Sequence, residues 1–351
     1  MSVALRAEEI VVATEPSERT DRGHGTVDTK LGWLQRQLCR IVETGPMPKH
    51  IGFIMDGNRR FARERGVEVA TGHRLGYDKL EEALRWCCEL GVKAVTVYAF
   101  SIQNFKRSCE EVEALMSLCE EKLQHMCGEA SVVQRQGVRV RVVGDLSLVS
   151  EPLRQRMHAV MRDTQRNSRQ TLTICFSYTA RNELVAAVRR LGAACADGKL
   201  MPDDVSEALL ERCLYTCPPG CPPVDLIVRT SGERRLSDFL LWQSAKCCCA
   251  FTQVLWPELS LYRFLLVLLQ YQLHHPALAV LLRRTPHRTL SPAAADKGPA
   301  QPPAAFDTLL GGAGLLLLLA LLSLAIHRAA ATGAGAAAVP LLAFHAYALL
   351  L

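Results

Sequence analysis

Apolar residues follow two rhythms along the middle of the chain. Short continuous runs rich in β-branched residues mark strands over 50–55, 94–100, 138–143, 171–177, 225–229 and 248–254. Between the first two runs, Leu80, Ala83, Leu84, Cys87 and Cys88 recur at helical spacing. After the second, Val112, Leu115, Met116, Cys119, Leu123 and Met126 do the same, so each stretch carries one apolar face. Strands alternating with amphipathic helices predict an α/β fold, a mainly parallel central sheet flanked by helices on both faces. Upstream, Leu31, Leu34, Leu38, Ile41 and Val42 share one side of a short helix containing Trp33, which Gly45-Pro46-Met47-Pro48 stops. Packing on the domain is the expected role of that helix, and contact with a membrane the alternative.

The pattern also divides the chain. Residues 1–30 are polar and mixed and are expected to be disordered. Residues 31–275 form the α/β domain, 276–305 a Pro/Ala-rich linker, and 306–351 a hydrophobic C-terminal tail. From Thr308 to Ile326 no residue is charged. As a helix this segment reaches about 28 Å, against a hydrocarbon core of about 30 Å, so it is expected to anchor the chain in a membrane. The first twenty residues carry Glu8, Glu9, Glu15 and Glu18 and no secretory signal pattern. With Arg283, Arg284, Arg288 and Lys297 ahead of the tail, the domain is expected to stay cytosolic.

Net charge is a modest +6, and the basic residues form no block of the kind that grips nucleic acid. Anionic small substrates or anionic lipid surfaces fit better. The fourteen cysteines lie in apolar runs such as Cys87-Cys88 and Cys247-Cys248-Cys249, which suits buried reduced thiols rather than a disulfide framework. Cys213, Cys217 and Cys221 miss the usual zinc spacing.

Chemistry concentrates where strands end. The first strand runs into Asp56-Gly57-Asn58-Arg59-Arg60. Ligands of parallel α/β sheets bind at the carboxyl ends of strands, and a helix N-terminus offers unpaired N–H groups to an anion. Gly57 lets phosphate approach the backbone, Asn58 is a candidate N-cap, and Arg59 and Arg60 supply forked donors. Asp56, a hard oxygen ligand, can hold Mg²⁺ against a diphosphate. The second strand leads to Ser101, Asn104 and Arg107, and the fifth to Arg229-Thr230-Ser231-Gly232-Glu233-Arg234-Arg235-Leu236-Ser237. Any one of these could be a solvated turn, but three together suit a site for two diphosphates. A P-loop is absent. The pair Asp203-Asp204 reads as charge at a helix start, so the Asp-rich metal signature of trans-prenyltransferases is missing too.

At these residues the sequence resembles the cis-prenyltransferases, the family of undecaprenyl and dehydrodolichyl diphosphate synthases. The likeness runs from about Met47 to Phe264 through Met55–Arg60, Gly72-His73, Tyr98-Ala99-Phe100-Ser101, Arg229–Glu233 and Leu255-Trp256-Pro257-Glu258. Pro46–His50 and Arg235–Trp242 are worded as in the animal, dehydrodolichyl-type catalytic subunits. The resemblance implies a Mg²⁺-dependent enzyme that adds isopentenyl diphosphate units to an allylic, farnesyl-type diphosphate. Its product would be the long polyprenyl diphosphate from which dolichol is made. It implies that Asp56 binds Mg²⁺ and the allylic diphosphate, with Gly57, Arg59 and Arg60 on phosphate oxygens. Asn58 and His73 then sit beside the reacting centre, Ser101, Asn104 and Arg107 line it, and Arg229, Arg235 and Ser237 bind isopentenyl diphosphate. Gln103 and Cys248 depart from the family, standing where a Glu is usual and where bacterial homodimers place a metal-binding Glu.

The family's homodimers complete the second site with an Arg-x-Gly motif near the carboxyl end. None of Arg263, Arg283, Arg284, Arg288 and Arg328 is followed two positions later by glycine. A Nogo-B-receptor-like partner subunit is therefore the expected donor, in a heteromer on the cytosolic face of the endoplasmic reticulum membrane. The competing reading is a noncatalytic scaffold or receptor subunit of the same fold, which should have lost the Asp56 and Arg229/Arg235 sets. Both are intact.

Overall fold

Residues 31–284 are described by the computed structural model. The N-terminal 30 residues, most of the expected linker and the whole tail, including the segment 308–326, lie outside the described residues. Six strands form one sheet: β1 (His50–Ile54), β2 (Ala94–Ser101), β3 (Val138–Val143), β4 (Gln170–Tyr178), β5 (Leu226–Arg229) and β6 (Cys248–Phe251). Their order is β3-β4-β2-β1-β5-β6 and every pairing is parallel. Ten helices connect and cover them: α1 (Trp33–Glu43), α2 (Asn58–Glu64), α3 (Val69–Glu89), α4 (Cys109–Cys127), α5 (Val132–Arg135), α6 (Glu151–Asp163), α7 (Ala180–Ala196), α8 (Glu207–Arg212), α9 (Leu241–Ser244) and α10 (Leu261–Arg284).

Parallel strands need crossovers, and crossovers put helices on both faces, so the inner strands are apolar without alternation. β1 is buried at all five positions, with Ile51 opposite Val95 on one side and Leu226 on the other. On one face Phe53 meets the rings of Trp256 and Phe264 at 5.6 and 5.8 Å, under α3 and α10. On the other, Ile54, Tyr178, Ile227, Phe239 and Leu240 make a second cluster. Phe53 and Trp256 are fully enclosed, and burial of such a side chain contributes about 2–3 kcal/mol.

Chain order places the site. β1 and β5 are neighbours, and the chain leaves β1 toward β2 on one side and β5 toward β6 on the other, so a crevice opens above their carboxyl ends. Asp56, Ser101 and Arg229 stand at the ends of β1, β2 and β5.

The structure revises several local expectations. Asn58 is the first residue of α2; its cap is Gly57, at φ +111. β6 stops at Phe251 because the next residues turn back to the β5 loop, with Ser231 N donating to Val254 O at 2.7 Å and Gly232 N to Thr252 O at 2.8 Å. Asp203 and Asp204 end a single 3-10 turn, and α8 begins only at Glu207. Helix α10 continues beyond residue 275 to Arg284 with Pro276 inside it. Gln272 ties α10 to α1, its side-chain amide donating to Val42 O at 2.7 Å.

Candidate active site

The end of β1 is fastened to the end of β5. Asp56 N donates to the Thr230 hydroxyl at 3.0 Å, and that hydroxyl donates back to Asp56 O at 2.6 Å. The Asp56 carboxylate accepts from Arg229 Nη2 at 2.7 Å. Arg229 is almost enclosed, its side chain 4 % exposed, while Asp56 is 34 % exposed. Burial alone would raise the Asp56 carboxyl. The hydrogen bond and charge of Arg229, with further donors from Ser231 and the Gly57 N–H, outweigh it and hold the group below the ordinary carboxylate range. Asp56 is thus an anion at neutral pH, turned toward the crevice.

Gly57 makes the turn from strand to helix. Its positive φ disfavours a side chain, and a Cβ there would come within 2.9 Å of the Leu255 side chain. Asn58 then packs against α3 so closely that a Cβ at Gly76 would lie 2.4 Å from Asn58 Oδ1. One turn before Gly76 stands His73, half-buried. Burial, then Arg107 and Arg59, depress its imidazole to about 4 against a smaller opposing effect of Glu111, so His73 is neutral at physiological pH. Glu111 holds both arginines, at 2.9 Å from Arg107 and 3.8 Å from Arg59. Ser101 and Asn104 shape the turn after β2: Ser101 N donates to Asn104 Oδ1 at 2.9 Å, and Gln103 N donates to Ser101 Oγ at 3.2 Å.

The loop after β5 closes the third side. Arg229 Nη1 donates to Ser237 Oγ at 2.8 Å and to the Arg235 carbonyl. Arg235 pairs with Glu233, which also lies 3.5 Å from Arg60. Arg60 donates to Ser231 O at 3.0 Å and Ser231 Oγ at 3.2 Å.

These ends open into a cavity of about 690 Å³. Its mouth carries Asp56, Asn58, Arg59, His73, Ser101, Asn104, Arg107, Arg229, Arg235 and Ser237. Ten of the twelve residues singled out in the sequence thus share one wall. Gly57 and Arg60 do not line it; they shape and brace the turn beneath. The rest of the lining is mostly apolar, with Leu115, Leu118, Leu123 and Met126 from α4, beside Lys122, and with Val142, Met157, Ile174 and Phe176 from the sheet and α6. Helix α4, nineteen residues from Cys109 to Cys127, is about 28 Å long at 1.5 Å per residue. Asn58 Oδ1, His73 Nε2 and Arg229 Nε are buried without a hydrogen-bond partner among the described residues, and all three residues line the cavity. Buried polar atoms are nearly always paired, so unpaired ones at one mouth mark a place made for a polar ligand.

A charged, unpaired mouth leading to a long apolar interior suits an amphiphile with an anionic head and a hydrocarbon tail. The residues also suit a hard cation. No group of three or more His, Cys, Asp or Glu side chains gathers for a metal among the described residues. Mg²⁺ needs only one or two carboxylates, however, taking its other oxygens from phosphates and water. Asp56, kept ionised, could supply one. Cys248 lies on β6, partly buried against the core and away from the cavity lining, so it supplies none. Glu111 and Arg181 are participants that sequence reasoning passed over, and Tyr98 and Asp238 entered it only as parts of motifs. Tyr98, Arg181 and Asp238 line the mouth, while Glu111 stands behind Arg59 and Arg107.

Comparison with known proteins places these features in a family. A prenyltransferase family model, described as undecaprenyl diphosphate synthase, matches residues 54–277. The dehydrodolichyl diphosphate synthase complex subunit of Homo sapiens is 46 % identical over 249 residues, covering 71 % of this chain and 74 % of the human protein. An isoprenyl transferase of Thermus thermophilus is 43 % identical over 247 residues, 69 % of this chain and 93 % of the bacterial one. Among solved structures, lavandulyl diphosphate synthase from Lavandula x intermedia, in complex with dimethylallyl diphosphate, superposes with a TM-score of 0.60 at 33 % identity. The match covers 64 % of this chain and 95 % of that one.

Proposed function

The chain belongs to the undecaprenyl diphosphate synthase family of cis-prenyltransferases, and from that premise we propose which lipid it makes and how its residues share the work. It is an enzyme that transfers prenyl groups. Its reaction joins isopentenyl diphosphate to an allylic, farnesyl-type diphosphate, and repetition gives dehydrodolichyl diphosphate, the precursor of the dolichol carrier lipid. The single observation that carries this reading is the Asp56–Arg229 pair at the mouth of a cavity that is polar outside and apolar within. In a noncatalytic relative the Asp56 and Arg229/Arg235 sets should be lost together.

The allylic diphosphate is held where α2 starts, by the helix N-terminus, Arg59 and Arg107, with Arg60 bracing the turn. Its hydrocarbon enters the apolar cavity. Isopentenyl diphosphate takes the Arg229, Arg235 and Ser237 side, which sets its double bond toward the allylic carbon. The allylic C–O bond breaks, a C–C bond forms from the isopentenyl double bond, and loss of a proton leaves the new cis double bond. Asp56 would hold Mg²⁺, which when bound neutralises charge on the departing diphosphate. Arg59 and Arg107 stabilise the same charge by oriented hydrogen bonds. His73, being neutral, adds no charge beside the allylic carbon and keeps one ring nitrogen for a ligand.

The human and fission-yeast relatives are named as complex subunits, which supports a heteromer. The proposed companion is a Nogo-B-receptor-like subunit, and the proposed location the endoplasmic reticulum membrane with the α/β domain toward the cytosol. Incorporation of radiolabelled isopentenyl diphosphate onto farnesyl diphosphate tests the reaction. Long polyprenyl products with cis double bonds are expected. Failure to extend any allylic primer, in the presence of Mg²⁺ and a partner subunit, would refute it.

A further inference from the structure

The loop that carries Ser237 is held in a strained shape by one acid. Of the five non-glycine residues with positive φ among the described residues, four lie between 231 and 240: Ser231 at +76, Ser237 at +49, Asp238 at +63 and Leu240 at +48. Left-handed backbone at consecutive non-glycine residues persists only when the surroundings enforce it. Here they do. Asp238 O accepts from Ala180 N at 2.7 Å, and its carboxylate accepts from Arg181 N at 3.1 Å and from Arg181 Nε at 2.8 Å. Beyond it Phe239 and Leu240 are fully buried, and the Tyr98 hydroxyl donates to Ser237 O at 3.2 Å. The start of α7 therefore grips the diphosphate loop through Asp238.

Arg181 is the other half of that grip. Its side chain is 75 % exposed, yet Asp238, only 12 % exposed, fixes its Nε. The two terminal amino groups remain beyond that contact, and the residue lines the cavity mouth with Arg229, Arg235 and Ser237. A cation in the first turn of a helix stands at the wrong end of the dipole, so helix stability does not account for it. A pre-oriented guanidinium loses little freedom on meeting an anion.

We propose that Arg181, aimed by Asp238, is a further binding residue for the second diphosphate. The inference rests on the assignment of Arg229, Arg235 and Ser237 to isopentenyl diphosphate. Arg181 contacts the outer phosphate, and Asp238 is the positioning residue behind it.

Steady-state kinetics of the enzyme with its partner subunit, titrating each substrate in turn, tests this in Arg181→Ala, Asp238→Asn, the double variant and Arg235→Ala. Arg189→Ala, on an exposed turn of the same helix, is the control, and thermal melting checks folding. Loss of one charge-assisted contact at an open mouth is expected to raise the KM for isopentenyl diphosphate about tenfold in Arg181→Ala. The allylic KM should stay unchanged and kcat within about twofold. Asparagine tolerates a left-handed backbone, so Asp238→Asn should fold, raise the same KM less, and add little to Arg181→Ala in the double variant. If Arg235→Ala raises that KM while Arg181→Ala leaves it unmoved, the inference falls and the two-site assignment stands. If Arg235→Ala raises the allylic KM instead, or neither, the assignment itself fails and takes the inference with it. If Asp238→Asn does not fold, Arg181→Ala decides alone.

Discussion

Replacing Asp56 with alanine separates what the Asp56–Arg229 pair does for folding from what it does for catalysis. In the variant Arg229, 4 % exposed, keeps Ser237 Oγ and the Arg235 carbonyl but loses the carboxylate on Nη2, and its Nε already has no partner. Breaking a fully buried ion pair costs about 3–5 kcal/mol, whereas an exposed pair contributes about 0–1 kcal/mol. Asp56 is a third exposed, which puts the cost between these limits, at about 2 kcal/mol. A domain stable by about 5–15 kcal/mol survives that loss. The urea midpoint should fall by roughly 1 M while far-ultraviolet circular dichroism is retained. Turnover should suffer far more. Losing Asp56 would remove the carboxylate proposed to hold the cation, an effect of several kcal/mol, or about a thousandfold or more in kcat. Urea titration alongside isopentenyl incorporation reads both quantities from one preparation. A folded Asp56→Ala protein that turns over within tenfold of the parent would refute the assignment of Asp56.

Two further outcomes come from the same geometry and two from the sequence. Met126→Trp or Leu123→Trp narrows the apolar end of the cavity, so chromatography of the products should show shorter chains with the first condensation little affected. His73 takes up its proton at about 4 in the folded chain and at about 6.5 when unfolded. Its share of stability is therefore complete above pH 6.5 and is lost as pH falls toward 4, by at most about 3 kcal/mol; denaturation of His73→Gln should show a flatter pH dependence over that window. Coexpression with a Nogo-B-receptor-like subunit should raise specific activity about a hundredfold or more if the partner donates backbone N–H contacts to the second diphosphate, and equal activity of the chain alone would defeat the heteromer. Carbonate extraction of the tagged full-length chain should leave it in the pellet if residues 308–326 span a bilayer; release alongside a retained anchored control would exclude the anchor.

The architecture could be read from the sequence because parallel strands advertise themselves. β3 was expected over 138–143 and spans Val138–Val143. β1, β2, β4 and β5 lie within a residue or so of expectation, since buried inner strands leave uninterrupted apolar runs. β6, expected to reach residue 254, ends at Phe251. Its last apolar residue, Val254, belongs to a turn tied to Ser231, a contact between segments 23 residues apart that local pattern cannot express. Asn58 failed as a cap for a related reason. Its side chain is taken up by α3 at Gly76, and a glycine with positive φ makes the turn instead.

Five of the six arginines at the site, all but Arg181, were legible for the same reason as the strands, because each follows a strand end. Their counter-ions were not. Arg59 and Arg107 share Glu111, Arg60 and Arg235 share Glu233, Arg229 has Asp56, and Arg181 has Asp238. Glu111 reads in sequence as ordinary first-turn charge on α4, and Asp238 as a loop residue; beside its local partner Arg107, Glu111 is reached by Arg59 from α2, and Asp238 by Arg181 from α7. The pairing has a physical purpose. Six guanidinium groups around and beneath one cavity would repel one another and swing into solvent, whereas each is now held beside a carboxylate. An arriving diphosphate then meets donors already in place and pays little ordering entropy. The three acids that share or hold those arginines away from Asp56 should therefore affect substrate affinity more than folding. Glu111 holds two arginines of the allylic side and makes no contact with Arg229, Arg235 or Ser237. Glu111→Gln, which keeps the shape and removes the charge, is expected to raise the allylic KM about tenfold while sparing that for isopentenyl diphosphate. A reversal of that ranking would mean that Arg59 and Arg107 serve the other substrate, and the division of the mouth into two diphosphate sites would have to be redrawn.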